Sequence, residues 1–373
     1  MPPKRLLLIG GGHSHVEVLR RLASTRESKI TIVLVSPDAR TPYSGMLPGL
    51  VAGHYTYDEA HIDLVSLAER AAARFVRDRV VGLDSGARQA ELAGGTREAY
   101  DLVSIDIGST PDTSVPGARE HALGVKPVDR FLAAWDTLLA DAASGRVRSI
   151  AVVGAGAGGV EVLLAMQHRM RQSLGDGTPA FALISDQPTL LPVHPPAVRR
   201  RFARVLAERG VTVHVGSAAI EVTPEGVRLQ SGTMVRADRV VWATAAAAAP
   251  WLASSGLACD ARGFLRVNAY LQSVSAATVF AAGDCATQDG QPRPKSGVYA
   301  VRQGPALAAN LVRAARGEAL ASYVPQRRAL ALISTGDRYA VGARGALAVA
   351  GRWVWRWKDR IDRRFMAKYA PPR

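Results

Sequence analysis

The amino-acid sequence predicts an α/β fold with two dinucleotide-binding domains, each a parallel sheet covered by helices on both faces. Three observations support this fold class. An apolar run near the start enters a glycine-rich turn and then a helical pattern, a second such unit follows later, and strand-like and helix-like segments alternate after both. The chain has 373 residues, 48% hydrophobic and 21% charged, so it is long enough and apolar enough to bury two cores.

The first unit starts with the apolar residues 6–9 and continues into three glycines and a helical pattern. Gly10 is expected to make the turn, and Gly12 lets the backbone approach a pyrophosphate at the helix N-terminus. His15 stands where a third glycine is usual, so its side chain is expected to push the helix off the strand or to point toward the cofactor. The alternative for His13 and His15 is that both are ordinary polar residues at a helix N-terminus.

The second unit has the complete glycine pattern. The apolar residues 150–153 lead into Gly154, Gly156 and Gly159, and a helical pattern follows. Two such units in one chain predict two Rossmann-like domains and two bound dinucleotides.

A polar residue follows the second strand of each unit, where a dinucleotide ribose is expected. In the first unit the strand Ile30–Val35 ends at Ser36, and Asp38 lies two residues further on. In the second unit the strand at 181–184 ends at Ser185 and Asp186. Ser36 and Asp186 are therefore the predicted ribose-binding residues.

Composition narrows the location and the partners. The two cysteines, Cys259 and Cys285, are too few for a disulfide framework, which predicts a reducing, cytoplasmic compartment. No stretch of about 18 apolar residues predicts a spanning helix. The net charge of +15 attracts anionic cofactors, membranes or nucleic acid, but aromatic residues make up only 6% and no zinc-finger spacing occurs, so no nucleic-acid partner is expected. His13-Ser14-His15 lacks further ligands, so no metal site is predicted.

Several segments together resemble a known family. Residues 278–286 include Gly283 and Asp284, residues 101–109 end at Gly108 and Ser109, and residues 238–245 form a counterpart in the second unit. With the two glycine turns, they resemble the FAD-dependent pyridine nucleotide-disulfide oxidoreductase superfamily, whose fold is that of glutathione-reductase-like two-domain flavoproteins. The resemblance implies FAD in the first domain, NAD(P)H in the second, and Asp284 hydrogen-bonded to the ribityl chain of FAD.

Within that superfamily, residues 9–16 and 41–50 look like the flavoprotein domain associated with selenophosphate synthase (selenide, water dikinase), with Pro42 expected at the FAD. Disulfide reductases carry two redox cysteines in the segment that corresponds to residues 41–49, and this chain has none there. The sequence therefore resembles the type II NADH dehydrogenase-like branch, which lacks the redox disulfide.

This branch implies further site residues. Glu161 matches a carboxylate near the nicotinamide, the alternative being stabilisation of the helix dipole in a first turn. Lys295 matches a lysine that sulfide:quinone oxidoreductases place by the flavin, the alternative being a solvated lysine. Residues 300–304 resemble a quinone-site segment, with Arg302 where a glutamine is usual.

The predicted domains are an FAD-binding domain of residues 1–115 and 246–320, an inserted NAD(P)-binding domain of residues 116–245, and a short C-terminal segment of residues 321–373. Residues 352–373 contain eight Lys or Arg against two Asp, and their apolar residues recur at spacings of three and four. This pattern predicts a basic amphipathic helix that lies on an anionic membrane or closes a quinone-facing tunnel, the alternative being a helix packed on the FAD domain with its basic face in water.

The predicted activity is FAD-dependent oxidation of NAD(P)H, with electrons passed to a quinone or another small-molecule acceptor. A cytoplasmic location follows, peripheral on the inner face of the cell membrane if the C-terminal helix binds lipid. The alternative function is a flavin-binding redox sensor or accessory module linked to selenium metabolism, with little turnover.

Overall fold

The structure, a computed structural model, describes residues 2–25, 27, 29–327 and 329–370. Its helices are α1 (His13–Thr25), α2 (Leu47–Val51), α3 (Tyr57–Ala60), α4 (Leu64–Arg70), α5 (Ala118–His121), α6 (Val128–Ala143), α7 (Ala157–Leu174), α8 (Pro196–Glu208), α9 (Pro250–Ser254), α10 (Gly297–Arg316) and α11 (Arg352–Ala367). Its strands are β1 (Lys4–Ile9), β2 (Ile30–Val35), β3 (Arg40–Pro42), β4 (His61–Asp63), β5 (Arg74–Val76), β6 (Val80–Asp84), β7 (Gln89–Leu92), β8 (Arg97–Ala99), β9 (Leu102–Ile105), β10 (Thr110–Pro111), β11 (Ala122–Gly124), β12 (Ser149–Val153), β13 (Ala180–Ile184), β14 (Thr212–His214), β15 (Ala219–Thr223), β16 (Gly226–Leu229), β17 (Met234–Arg236), β18 (Arg239–Trp242), β19 (Ala246–Ala247), β20 (Leu265–Val267), β21 (Val279–Ala281), β22 (Ala286–Gln288), β23 (Ala331–Ser334), β24 (Ala340–Arg344) and β25 (Leu347–Gly351).

The predicted α/β class is confirmed by two parallel sheets with matching strand order. The first sheet runs β21-β9-β1-β2-β5 and the second β11-β18-β12-β13-β14. In each sheet the strand that enters a glycine turn is central, and its neighbour comes from a later part of the same unit. Each unit also carries an antiparallel meander, β6-β7-β8 in the first and β15-β16-β17 in the second.

The first sheet is interrupted in sequence by the second. Its strand β21 pairs in parallel with β9 across the whole of the second sheet's residues, with Val279 opposite Val103. The chain passes from the first unit to the second near β10 and returns near β19, and these two strands pair with each other in a short antiparallel ladder. This topology is what an inserted second domain requires, and the proposed boundaries near 115 and 245 fall beside that ladder.

Buried apolar strands hold each sheet in place. Leu6, Leu7, Leu8 and Ile9 of β1 are buried on both faces, as expected for a central parallel strand covered by helices. Helix α10 packs on α1, where Gly304 allows close contact because a Cβ there would lie 2.7 Å from Cβ of Glu17. These contacts fix the N-terminus of α1 against the first sheet.

The C-terminal segment contains more structure than the sequence pattern indicated. Strands β23, β24 and β25 form an antiparallel sheet, and α11 follows it directly. Ile333, Val341 and Ala343 of this sheet belong to the core of the second domain. The basic helix was expected over 352–373 and spans Arg352–Ala367, while Arg373 lies outside the described residues. Within the part of the chain that the structure describes, no helix has both the length and the apolar character needed to cross a membrane.

Candidate functional site

The first glycine turn connects β1 to α1 at the carboxyl end of the sheet. Gly10 adopts a φ of +92°, and a Cβ on it would lie 2.5 Å from the carbonyl oxygen of Asp106. A Cβ on Gly12 would lie 2.3 Å from the carboxyl group of the same aspartate. Both glycines are therefore required by backbone and side-chain packing from the neighbouring strand, in addition to any approach of a phosphate.

His15 lies beneath the turn instead of facing a cofactor. Its Nδ1 is 2.7 Å from the carbonyl oxygen of Gly10, and its Nε2 is 2.8 Å from Oγ of Ser104 on β9. Burial lowers the pKa of His15 to about 4, so the ring is neutral and joins α1 to the sheet. His15 was predicted to bind the cofactor, and in the structure both of its ring nitrogens instead contact protein groups, one of them the small side chain of Ser104, which sequence spacing did not reveal.

His13, at the start of α1, points to the other side of the turn. Its ring lies edge-on to Tyr43, with centroids 5.5 Å apart. Its Nε2 is buried and has no hydrogen-bond partner among the described residues. Burial lowers the pKa of His13 to about 4, so Nε2 is an unpaired group of a neutral ring facing the predicted FAD site.

Asp284 lies at the end of β21, close to the first turn. Its Oδ2 accepts hydrogen bonds from Nζ of Lys126 at 2.9 Å and from Oγ of Ser109 at 3.2 Å. The side chain of Asp284 is 11% exposed and that of Lys126 37% exposed. A charged pair thus stands beside the unpaired His13 ring, and these groups fit the polar ribityl and phosphate parts of an FAD molecule.

Lys295 lines the same pocket as Asp284. Its amino group donates to the carbonyl oxygen of Ala286 at 2.6 Å and to Oγ1 of Thr287 at 2.9 Å, and it lies 3.9 Å from the ring centroid of Phe264. These contacts hold the amino group of Lys295 against the protein, so it is not a freely solvated lysine, and burial lowers its pKa. Its contact with a flavin stays a prediction.

The other residues expected at FAD lie around the same edge of the sheet. Ser36 is buried at the end of β2, where its N–H donates to the carbonyl of Val76. Pro42 ends β3, one residue before Tyr43. Gly108 follows β9 with a φ of +69°, a conformation that glycine adopts without strain. Ser36 and Gly108 follow β2 and β9 of the first parallel sheet, whereas Pro42 lies in the separate antiparallel pair of β3 and β4.

The second turn is a closer match to the dinucleotide pattern. Gly154 has a φ of +118°, and a Cβ there would lie 2.2 Å from the carbonyl oxygen of Ala243. A Cβ on Gly159 would lie 2.0 Å from the carbonyl oxygen of Gly154, so α7 packs directly on the turn. A Cβ on Gly156 would meet no atom of the described residues within 4 Å, which leaves open space for a phosphate. Asp186 is exposed in the loop after β13, where a ribose would lie.

Glu161 lies near the start of α7 and faces the C-terminal sheet. Its Oε1 accepts the backbone N–H of Ser334 at 2.7 Å. Burial raises the pKa of Glu161 to about 7, and the positive charge of Lys358 on α11 opposes that rise. A carboxyl group of this kind can hold a proton near neutral pH.

Helix α11 covers the segment where disulfide reductases would carry their cysteines. Phe365 stacks on Tyr43 with ring centroids 4.3 Å apart. Lys358 donates to the carbonyl oxygen of Gly45 and to Oδ2 of Asp362, at 2.6 Å in both cases. Because α2 packs on α7, this segment also lies against the second domain. Residues 43–51 thus contact α1 of the first domain, α7 of the second and the C-terminal helix.

Neither cysteine is placed for redox exchange. Cys285 is buried, with Sγ 3.1 Å from the carbonyl oxygen of Ala282, and burial raises its pKa to about 12. Cys259 is half-buried, and burial raises its pKa as well. Both thiols stay protonated at neutral pH and are poor nucleophiles.

Sequence reasoning missed Lys126, Asp106 and Lys358. Each acts on the site from an element distant in sequence. Asp106 follows directly after the predicted returning strand, so its place at a strand end was the available signal. Lys126 and Lys358 carried no comparable signal.

Comparison with known proteins places the chain in a family. The family model described as pyridine nucleotide-disulphide oxidoreductase matches residues 4–304. The NADH dehydrogenase-like protein Rv1812c of Mycobacterium tuberculosis is 28% identical over 223 residues, which cover 58% of this chain and only 56% of that protein's length. The type II NADH:quinone oxidoreductase of Staphylococcus aureus is 23% identical over a 395-residue alignment covering 98% of this chain and 96% of that protein.

Solved structures share the fold over nearly the whole chain. The sulfide:quinone oxidoreductase from Aquifex aeolicus superposes with a TM-score of 0.83 at 19% identity, covering 98% of this chain and 91% of that one. NDH2 from Plasmodium falciparum, solved with NADH, gives a TM-score of 0.78 at 14% identity, covering 98% and 97%. The family match agrees with the two glycine turns and the inserted sheet. The chain belongs to the pyridine nucleotide-disulphide oxidoreductase family, whose members bind FAD and NAD(P)H.

Proposed function

We propose that this NADH dehydrogenase-like flavoprotein oxidises NAD(P)H through FAD and passes the electrons to a quinone or a similar small acceptor, without a thiol step. The observation that carries the proposal is the segment of residues 43–51. It contacts α1 through Tyr43 and His13 and the second domain through α2 and α7, and it contains no cysteine. When bound, FAD supplies the chemistry of hydride and electron transfer. The chain's own residues position the cofactor and hold protons.

The residues around the first turn are suited to hold FAD. Asp284 offers carboxylate oxygens toward the ribityl chain, while Lys126 balances its charge at 2.9 Å. His13 offers an unpaired ring nitrogen on the same side. Lys295, fixed by two hydrogen bonds, is the proposed cation that stabilises negative charge on a reduced flavin.

The residues around the second turn are suited to hold NAD(P)H. The N-terminus of α7 and the open space at Gly156 accept the pyrophosphate, and Asp186 accepts a ribose hydroxyl. Glu161, with its pKa raised to about 7 by burial, is the proposed proton-holding carboxyl near the nicotinamide.

Helix α11 covers the segment of residues 43–51, and the residues of this cover support a quinone as the electron acceptor. Phe365 and Tyr43 stack in an apolar layer, and the Lys358–Asp362 pair beside it offers polar atoms to a carbonyl group. The Staphylococcus aureus relative named a type II NADH:quinone oxidoreductase aligns with 98% of this chain, including α11. Residues 300–304 lie on α10, where Gln303 accepts the N–H of Gly283 at 2.7 Å, so this segment supports the turn before Asp284.

Anaerobic stopped-flow spectroscopy tests the proposed reaction. NADH is expected to bleach the flavin absorbance, and a short-chain ubiquinone or menaquinone is expected to restore it over repeated turnovers. A flavin that NADH does not reduce contradicts the proposal. Reduction without re-oxidation by quinones favours instead the redox sensor or accessory module linked to selenium metabolism.

We further propose that α11 rests on an anionic membrane surface. The apolar residues of α11 and of the turn that follows it divide into two sets: Val354, Phe365 and Tyr369 are buried against the protein, whereas Trp353, Trp357 and Ile361 are exposed. Strand β25 exposes two more apolar residues next to the helix, Leu347 and Val349. Arg356, Arg360, Arg364 and Lys368 are exposed along the same helix.

The exposed set has the composition of an interfacial helix. Tryptophan favours the headgroup region, and each basic residue near an anionic surface adds about 1 kcal/mol of attraction. Packing and membrane contact therefore use different faces of one helix. With two unpaired cysteines, this supports a cytoplasmic protein bound peripherally to the inner face of the cell membrane.

Flotation with vesicles containing phosphatidylglycerol tests the membrane proposal. The double variant Trp353→Gln/Trp357→Gln should keep its FAD and lose flotation at low salt. The matched control removes two exposed apolar residues elsewhere, Val193→Gln/Val324→Gln, and should float as the unmodified protein does. If the unmodified protein does not float, or if both double variants lose flotation alike, the proposal is wrong.

A further inference from the structure

Asp106 is a buried carboxyl group at the point where the first dinucleotide must bind. It follows directly after β9, which pairs with β1 in the first sheet. In open parallel sheets, ligands bind in the crevice at the carboxyl ends of neighbouring strands whose connections run to opposite sides. The side chain is 2% exposed, so it lies under the turn rather than in solvent.

The carboxyl group occupies the N-terminus of α1. Its Oδ2 accepts the backbone N–H of Ser14 at 2.7 Å and of His15 at 3.1 Å. Its Oδ1 would lie 2.3 Å from a Cβ on Gly12 and 2.4 Å from a Cβ on Gly283. Asp106 therefore takes two of the N–H groups that a helix N-terminus offers to a phosphate, and it lies against both glycines that a cofactor must pass.

The charged and titratable groups around Asp106 do not neutralise it. Asp284 raises the pKa of Asp106 further, although Lys126 pairs with Asp284. The rings of His13 and His15 are neutral, since burial lowers the pKa of each to about 4. The remaining groups on packed elements are the Cys285 thiol, protonated at neutral pH, and Glu17, which Arg20 and Arg21 bind at 2.8 and 2.7 Å.

We propose that Asp106 is a proton-linked positioning residue of the FAD site, whose carboxyl group takes up one proton from solvent as the FAD diphosphate settles on the first turn. A protonated carboxyl group still accepts the N–H of Ser14 and His15 through its carbonyl oxygen. It adds an O–H donor in place of a second negative charge. The negative charges of a diphosphate and an ionised Asp106 would repel each other in a site that excludes water.

The expected pH dependence of FAD binding follows from the pKa of Asp106 in the protein without FAD and in the complex. Burial raises the pKa of Asp106 to about 7 in the protein without cofactor, and the nearby diphosphate raises it further in the complex. Below the lower of these two pKa values the group is protonated in both states, so the dissociation constant for FAD does not change. Between them, each unit of pH raises that constant tenfold, because binding then requires one proton.

The test measures FAD release from the holoprotein between pH 6 and 8.5. Serial dilution at each pH, followed by the fluorescence of free FAD, gives the dissociation constant. The unmodified protein should show a rise that approaches tenfold per pH unit above about pH 7. Asp106→Asn keeps an acceptor for Ser14 and His15 without the ionisable proton, so its dissociation constant should be flat over the same range.

The matched control is Asp101→Asn, one strand length away in the same segment. Asp101 is partly exposed and accepts the N–H of Arg5 at 2.7 Å. This variant should retain the pH dependence of the unmodified protein. A flat profile for the unmodified protein overturns the proposal, as does an unchanged slope in Asp106→Asn.

A second measurement needs no variant. FAD release in weakly buffered solution containing an indicator dye counts the protons exchanged. At pH 7.5 to 8 the unmodified protein should release close to one proton per FAD lost. Release of no protons overturns the proposal even if Asp106→Asn does not fold.

Discussion

Three neighbouring glycines of the second turn, Gly156, Gly158 and Gly159, allow a sharp test of the site geometry, because they differ in the space around a Cβ or in their place relative to the helix. Gly159→Ala places a Cβ 2.0 Å from the carbonyl oxygen of Gly154, which is backbone and cannot rotate away. Helix α7 must shift off the turn, and overpacking of this kind costs about 1–3 kcal/mol of the free energy of unfolding. The same shift moves the helix N-terminus away from the pyrophosphate of NAD(P)H.

The neighbouring positions supply the controls. At Gly158 a Cβ meets no atom of the described residues within 4 Å, and the residue is helical, so Gly158→Ala should stabilise the protein by about 0.5–1 kcal/mol. Gly156 has a φ of −71°, which alanine adopts without strain. Because Gly156 is the N-cap of α7, a position that prefers glycine to alanine, Gly156→Ala should lower the free energy of unfolding by no more than about 1 kcal/mol. It should still weaken NADH binding roughly tenfold, or about 1.4 kcal/mol, because its methyl group fills the space for a phosphate.

Urea unfolding followed by circular dichroism gives the stabilities, and the NADH concentration dependence of flavin reduction gives the binding. The expected order of stability is Gly158→Ala above the unmodified protein and Gly156→Ala, with Gly159→Ala lowest. FAD content should be equal in all four proteins, because the first turn is unchanged. Equal stability of Gly158→Ala and Gly159→Ala, or unchanged NADH binding in Gly156→Ala, would refute this account of the turn.

Four further predictions concern the rest of the site. Gly12→Val should lower the FAD content of the purified protein severalfold, as measured by absorbance at 450 nm, because its side chain would overlap the buried carboxyl group beneath the turn; full FAD content would contradict this. Replacing Cys259 and Cys285 together with Ser should leave the rate of flavin reduction by NADH within about twofold; abolished reduction at normal flavin content would show a thiol step. Glu161→Gln should remove a break near pH 7 from the pH profile of flavin re-oxidation. Between about pH 4.5 and 7 the folded protein keeps a proton on Glu161 that the unfolded chain releases, so the stability that Glu161 contributes falls as the pH rises through this range. The variant should lack this pH-dependent fall in stability. NADH should reduce the flavin faster than NADPH, since Asp186 repels a 2′-phosphate; a clear NADPH preference in stopped-flow measurements would count against that role.

Local sequence patterns were sufficient to predict the fold class and the two glycine turns. Gly156 and Gly159 serve purposes that depend on the turn and the helix that starts there, and Gly154, although it also approaches Ala243, keeps its fixed place after the strand. Such short-range relations are visible as spacing in a single sequence. The strand and the helix on either side of each turn followed from their periodicity for the same reason, whereas the two antiparallel meanders were not predicted.

The parts that sequence did not reveal depend on contacts between distant segments. Lys126 reaches Asp284, and Ser104 receives His15, through the pairing of strands far apart in the chain. Strands β23 to β25 are rich in alanine and glycine and short, so their alternation was weak. The apolar residues of α11 were predicted to share one face, but a helix can divide such a stripe between core and solvent, and only packing decides where the division falls.

The interruption of the first sheet also sets an order of events during synthesis. Strand β9 offers one edge to β1 as soon as both have been made, but its other edge stays open until β21 leaves the ribosome, after the entire second domain. Open edges favour mispairing, and contacts between distant segments form slowly. All five strands of the second sheet lie between Ala122 and Trp242, so this sheet can form while the first waits, and its core is completed later by residues of β23 and β24. Gly283 and Asp284 can therefore reach the turn that was made at the start of the chain only after the whole second sheet has been synthesised.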